Sequence, residues 1–146
     1  MIVKIEEIIK EEKYDVELKQ KVNFDNPKDY LKTVSSFANG YNVGYIIFGI
    51  ENSSKKVIGI NNVKKSYEEI LNRIKTRIEP IIMPIIEILN IKNKNIILVK
   101  IIPGDSKPYY CISNGTRISY IRKEGKDFEE NSLELNEFIL EEKNIR

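Results

Sequence analysis

The sequence predicts an α+β fold, in which a mixed, mostly antiparallel sheet packs with about four helices. Three observations lead there. Isoleucine dominates the apolar residues, and β-branched side chains favour sheet. Several short apolar runs are joined by hairpin signals, Lys92-Asn93-Lys94 and Asn114-Gly115. Other segments carry their apolar residues at helical spacing. No repeat and no Pro/Gly/Ser-rich linker divides the 146 residues, which are read as one domain.

Taken in order, Ile2, Ile5, Ile8 and Ile9 give a first helix over 2–12, and an apolar-polar stretch follows around Tyr14–Lys19. Asn26 and Pro27 read as N-cap and first position of a second helix. Its inner face is Tyr30, Leu31, Val34, Phe37 and Ala38, and Asn39-Gly40 ends it. Val43 to Ile50 has the pattern of a buried strand. Asn52-Ser53-Ser54 is turn chemistry, and Lys56–Ile60 reads as the returning strand. Ser66-Tyr67-Glu68-Glu69 reads as a capping box opening a third helix. Its expected stripe is Tyr67, Ile70, Leu71, Ile74 and Ile78, and Pro80 stops it. Two long strands are expected over 84–91 and 95–103, then two shorter ones near 108–112 and 117–122. A last helix should begin near Asn131 or Ser132, with Glu134 placed to cap it.

Composition narrows the chemistry. There is no histidine and one cysteine, Cys111, which removes Ser-His-Asp and Cys-His catalysis, zinc sites and internal disulfides. A bound metal would have oxygen ligands, which favours magnesium, manganese or calcium. No Walker motif is present, so neither ATP hydrolysis nor a nucleotide cofactor is expected. The amino terminus is too charged for a signal peptide and no apolar run approaches membrane-spanning length, so a cytoplasmic protein with no membrane partner is expected. The net charge of +2 hides segregation. Residues 53–77 carry seven basic side chains against two acidic ones, and residues 90–127 carry eight against three. Such segments suit a polyanion such as nucleic acid, though a merely solvated surface has the same pattern.

Four ordered motifs add to this reading: Asp15-Val16-Glu17-Leu18-Lys19, Leu31 through Asn39, Gly44 through Asn52, and Tyr120-Ile121-Arg122-Lys123-Glu124-Gly125. Val57-Ile58-Gly59-Ile60 and Lys107-Pro108-Tyr109-Tyr110 fit between them. The set, spanning about residues 6–127, resembles the divergent AlbA domain of the Schlafen family, which is associated with nucleic-acid binding in bacterial and archaeal regulators. The resemblance implies a further possibility, because animal Schlafens cut tRNA and ribosomal RNA with three carboxylates and a divalent metal. By motif, those carboxylates fall on Glu12, Glu17 and Glu51. Two departures stand out: Val43 occupies the first of two usual glycine positions, and Glu51 stands where aspartate is usual.

Chemically, clustered carboxylates raise one another's pKa unless a cation lies between them, and a metal there could activate water for attack on phosphorus. Glu12 could equally be solvated at a helix end, and Glu51 could pair with a lysine. Lys19 shares a strand face with Glu17 and could stabilise phosphate charge. Tyr120 and Arg122 also share a face; they suit base stacking and phosphate pairing, or equally a core ring and a sheet-supporting arginine. Arg117, Lys123 and Lys126 complete the expected nucleic-acid contacts. The expectation is a nucleic-acid-binding domain acting as a metal-dependent endoribonuclease on structured RNA such as tRNA. The alternative is a non-catalytic DNA- or RNA-binding module of a transcriptional regulator, and a third reading is a protein-interaction domain. A homodimer is plausible, since animal Schlafens pair two such domains within one chain.

Overall fold

The computed structural model describes residues 2–11 and 13–145. Its elements are α1 (Ile2–Lys10), β1 (Asp15–Lys19), α2 (Lys28–Ala38), β2 (Gly44–Phe48), α3 (Val63–Arg77), β3 (Ile78–Glu79), β4 (Ile85–Ile91), β5 (Lys94–Ile101), β6 (Tyr110–Ser113), β7 (Thr116–Lys123), β8 (Lys126–Glu129) and α4 (Leu133–Ile145). They form two four-stranded sheets, ordered β1-β2-β5-β4 and β3-β6-β7-β8. Every pairing is antiparallel except β1 with β2, whose crossover is α2; a parallel pair needs such a crossover. The α+β expectation holds, and the sheet is two sheets rather than one.

The first sheet is covered on both faces, which explains why β2 is buried throughout. On one face Ile46 and Phe48 of β2, with Ile97, Val99 and Ile101 of β5, meet Tyr30, Val34 and Phe37 of α2 and Ile70 and Ile74 of α3. Helix α2 also touches β6 and β7, so it lies between the sheets. On the other face Tyr45, Ile47 and Leu98 pack beneath Ile5 and Ile8 of α1. Strand alternation therefore assigns alternate residues of β2 to two different cores.

The hairpins follow their turn chemistry. Lys92 and Asn93 both have positive φ, 49° and 66°, as do Asn114 and Gly115, 50° and 76°, the pattern of two-residue hairpin turns. Glu124-Gly125 repeats it at 50° and 74° and leads into β8, a strand absent from the sequence expectation. Helix α4 starts at Leu133, with Ser132 Oγ accepting from Leu135 N at 3.0 Å, so Ser132 caps it rather than Glu134.

Three further expectations change. Lys56–Ile60 does not form a strand; only Val57 bridges to Ile50. Ile58 N and Gly59 N both donate to Gly49 O, and Ile60 N donates to Asn95 O, so the segment crosses the strand ends instead of running beside one. Ser66 caps nothing. Helix α3 begins three residues earlier, at Val63, and Ser66 is buried inside it. Ile78 leaves the α3 stripe to open β3, where it pairs with Cys111.

Gly44 accounts for one of the sequence departures. A Cβ at this position would overlap the ring of Phe37, whereas Val43 packs on the α1 side and its carbonyl accepts from Asp15 N at 3.0 Å. Only the second glycine of the pair is sterically required here. Gly44→Ala should lower stability by about 1–3 kcal/mol through overpacking. A urea unfolding midpoint indistinguishable from that of the unaltered chain would refute this account.

Candidate functional site

Arg122 of β7 stands at the centre of the polar residues. Its side chain is 8% exposed, and alternation turns it, like Tyr120, towards α2. Nη2 donates to Glu17 Oε1 of β1 at 2.7 Å, and Nη1 donates to Asp127 Oδ1 of β8 at 2.8 Å. Asp127 is the cross-strand partner of Arg122, and its second oxygen accepts from Thr33 Oγ1 of α2 at 2.6 Å. The guanidinium lies 5.2 Å from the Phe37 ring centroid, close enough for cation–π attraction. Burial alone would weaken its charge, but Asp127 and Glu17 more than offset that and hold its pKa above the usual value.

Lys19 extends this network. Its Nζ lies 3.1 Å from Asp29 Oδ1 and 3.6 Å from Glu17 Oε2, so Glu17 faces two cations. Glu51, just beyond β2, faces hydroxyls instead. Its Oε1 accepts from Ser54 Oγ at 2.6 Å and Ser53 Oγ at 3.4 Å, within a turn closed by Lys55 N donating to Glu51 O. Glu12 lies outside the described residues. Among the described residues, no three side chains of the metal-binding types come together to hold an ion. Glu17 is paired with Arg122 and Lys19, and Glu51 with the hydroxyls of its own turn.

The six expected nucleic-acid contacts do not form one surface. Tyr120 is 4% exposed and belongs to the core under α2, so its ring presents no free face for a base. Arg122 is spent on its two carboxylates, and Lys19 on Asp29 and Glu17. For both Tyr120 and Arg122 the structural alternative is the one the geometry supports. Lys123 and Lys126 face each other at the β7–β8 hairpin, beside Glu134, Glu137 and Glu141 of α4. Arg117 lies at the opposite end of β7, 4.6 Å from the Tyr110 ring centroid and 3.5 Å from Glu79.

A different cationic site emerges that the motifs did not mark. Lys55 and Lys56, from the turn after β2, meet Lys92 and Lys94, from the β4–β5 hairpin, around a slot of about 430 Å³. Ile5, Ile9, Ile50, Val57 and Ile91 make its apolar walls, and Glu6 is its one acid. Among the described residues none of these four lysines is in an ion pair; Lys55 Nζ donates to Asn52 O and Lys94 Nζ to Val57 O, both backbone carbonyls. The signal lay in the two basic segments, one contributing each pair of lysines.

Removing the Arg122 guanidinium would leave Asp127 buried without its cation, and such losses cost about 3–5 kcal/mol. Arg122→Met should therefore lower unfolding stability by that order in urea. An Arg122→Met protein as stable as the unaltered chain would show instead that Asp127 does not depend on this cation.

Comparison with known proteins places these features. Residues 12–131 match the family described as Schlafen, AlbA_2. Over 51 residues the chain is 45% identical to an uncharacterized ATP-binding protein of Ureaplasma parvum, a match taking in 35% of this chain and only 14% of that protein. The solution structure of the N-terminal domain of a RecG-related protein from Nitrosomonas europaea is similar in fold. Its TM-score is 0.58 at 17% identity, covering 90% of this chain and 91% of that domain. A crystal structure of a protein from Corynebacterium diphtheriae is also similar, with TM-score 0.55 at 15% identity, covering 88% of this chain and 30% of the other. With most of its length matched, including the Glu17 strand, helix α2 and the Arg122 hairpin, the chain belongs to the Schlafen AlbA_2 family.

Proposed function

We propose that this domain binds nucleic acid, with the lysine-rimmed slot as a principal backbone contact. The carrying observation is the convergence of Lys55, Lys56, Lys92 and Lys94, two pairs far apart in the sequence, at one mouth with a single glutamate. Cations held by no carboxylate lose little on meeting phosphate and release the counterions condensed on it. The names of relatives support the same class: one is related to RecG, an ATP-dependent DNA helicase, and another is named ATP-binding. Among the described residues no helix is long and apolar enough to cross a membrane.

The finer reading is a metal-dependent endoribonuclease acting on structured RNA such as tRNA, with Glu12, Glu17 and Glu51 holding magnesium or manganese. It is supported by an acid at each of the three motif positions. It requires Glu17 to turn from Arg122 and Lys19 towards an ion. The geometry therefore favours binding without catalysis, as in a module of a transcriptional regulator. A homodimer remains part of the proposal, supported by edge strand β4, where Ile85 and Ile88 are exposed; light scattering measures it.

Replacing the four slot lysines with glutamine should weaken retardation of both RNA and DNA. It should also flatten the salt dependence by about 0.7–0.9 in log–log slope for each phosphate left unneutralised. An unchanged slope would remove the slot from the interface. For catalysis, tRNA is incubated with and without manganese beside Glu17→Ala and Glu51→Gln. The second variant is needed because the first also strips Arg122 of a partner. Binding by a folded chain with no manganese-dependent cleavage is the expected result; cleavage abolished in both variants would establish the nuclease.

A further inference from the structure

A second cleft, of about 560 Å³, opens between the end of α2 and β7, within the range of roughly 300–1,000 Å³ usual for small-ligand sites. We propose that it receives an unpaired guanine base, stacked on Tyr41 with its Watson–Crick edge on the carboxylate of Asp15. This rests on the nucleic-acid reading above and names the part of the nucleic acid that the cleft would take.

Tyr41 is the first observation. It lies in the loop joining α2 to β2, and of the eight tyrosines it alone is exposed, at 91%. Lys107 Nζ is 4.2 Å from its ring centroid. An aromatic ring on a loop, beside a lysine, offers a face for stacking and a charge for the adjoining phosphate. Lys123 stands at the same rim, and among the described residues neither lysine is in an ion pair.

Asp15 is the second. It opens β1, is half-buried in the cleft, and among the described residues its carboxylate accepts no hydrogen bond. A half-buried carboxylate that no protein donor meets is open to a ligand's donors, and when ionised it can only accept. Guanine alone among the common bases presents two adjacent N–H donors on its Watson–Crick edge. Uracil presents one donor between two carbonyls, which a carboxylate repels. Ser36, whose buried hydroxyl also has no partner among the described residues, lines the same wall. Asn39 is not free in this way, since its amide already bonds Tyr109, Ser119 and Tyr120.

Gly40 ties the two observations together. A Cβ there would stand in ordinary van der Waals contact with Asp15 Oδ2, at 3.9 Å, so a side chain longer than alanine at the residue next to Tyr41 would extend beside the carboxylate. Its φ lies outside the left-handed region, so a larger side chain would crowd the cleft without straining the backbone.

The test is an NMR titration of the full chain with GMP and UMP. GMP should bind at least about tenfold more tightly than UMP, the factor that one net hydrogen bond of about 1.4 kcal/mol supplies, and shift the amides of residues 15, 40 and 41. Tyr41→Ala and Gly40→Leu should each weaken GMP about tenfold, Tyr41→Phe should not, and Asp15→Asn should abolish the preference. Equal affinity for GMP and UMP, or a Tyr41→Ala chain that binds GMP as before, would overturn the base site. A chain that retards RNA yet shows no GMP-selective shift loses this proposal alone. One that binds GMP in the cleft but retards no polynucleotide loses the wider reading and keeps the base site.

Discussion

A single guanidinium joins the parts of this domain that backbone hydrogen bonds leave separate. The two sheets share no ladder, yet Arg122 of the second reaches Glu17 of the first and Asp127 of its own, while Thr33 of the intervening helix closes onto Asp127. Apolar packing around α2 supplies the bulk of the attraction between layers and is non-directional. The charged cluster adds direction, because a buried arginine is tolerated only where its donors are met. Its position fixes how β1, β7 and β8 face one another.

That arrangement bears directly on chemistry. A carboxylate balanced by Arg122 and Lys19 is electrostatically satisfied, so Glu17 has little need of a metal. Glu51 is drawn into its own turn by Ser53 and Ser54. The acids at these two motif positions thus have local structural partners, and the uncommitted groups lie elsewhere. Lysines gather at the apolar slot under α1, and an open carboxylate and exposed tyrosine gather in the cleft beyond α2. Lysines outside any ion pair among the described residues, and a carboxylate that meets no donor there, mark where this surface is prepared to meet something else.

Much of the fold was legible in the chain. Turn residues located the hairpins at Lys92-Asn93 and Asn114-Gly115, since few residues accept positive φ; helical spacing located α1 and α2, and capping chemistry located α4. The same turn signal at Glu124-Gly125 would have revealed β8. Other readings failed where tertiary packing overrides local preference. Ser66 has the sequence of a cap but is carried inside α3 because Val63 also packs on the core. Val57–Ile60 has the composition of a strand but its amides are claimed by Gly49 and Asn95.

The site was less legible for a related reason. Residue types, their order and their strand parity determined by themselves that the domain is α+β, that histidine chemistry is absent, and that Glu17 and Lys19, or Tyr120 and Arg122, would share a face. They could not determine which side of that face would be filled. Only the tertiary structure decided that Tyr120 is core, that Arg122 neutralises Glu17, and that lysines from two distant segments meet at one slot. Periodicity is a property of a few neighbouring residues, whereas burial and charge pairing depend on what the rest of the chain brings alongside.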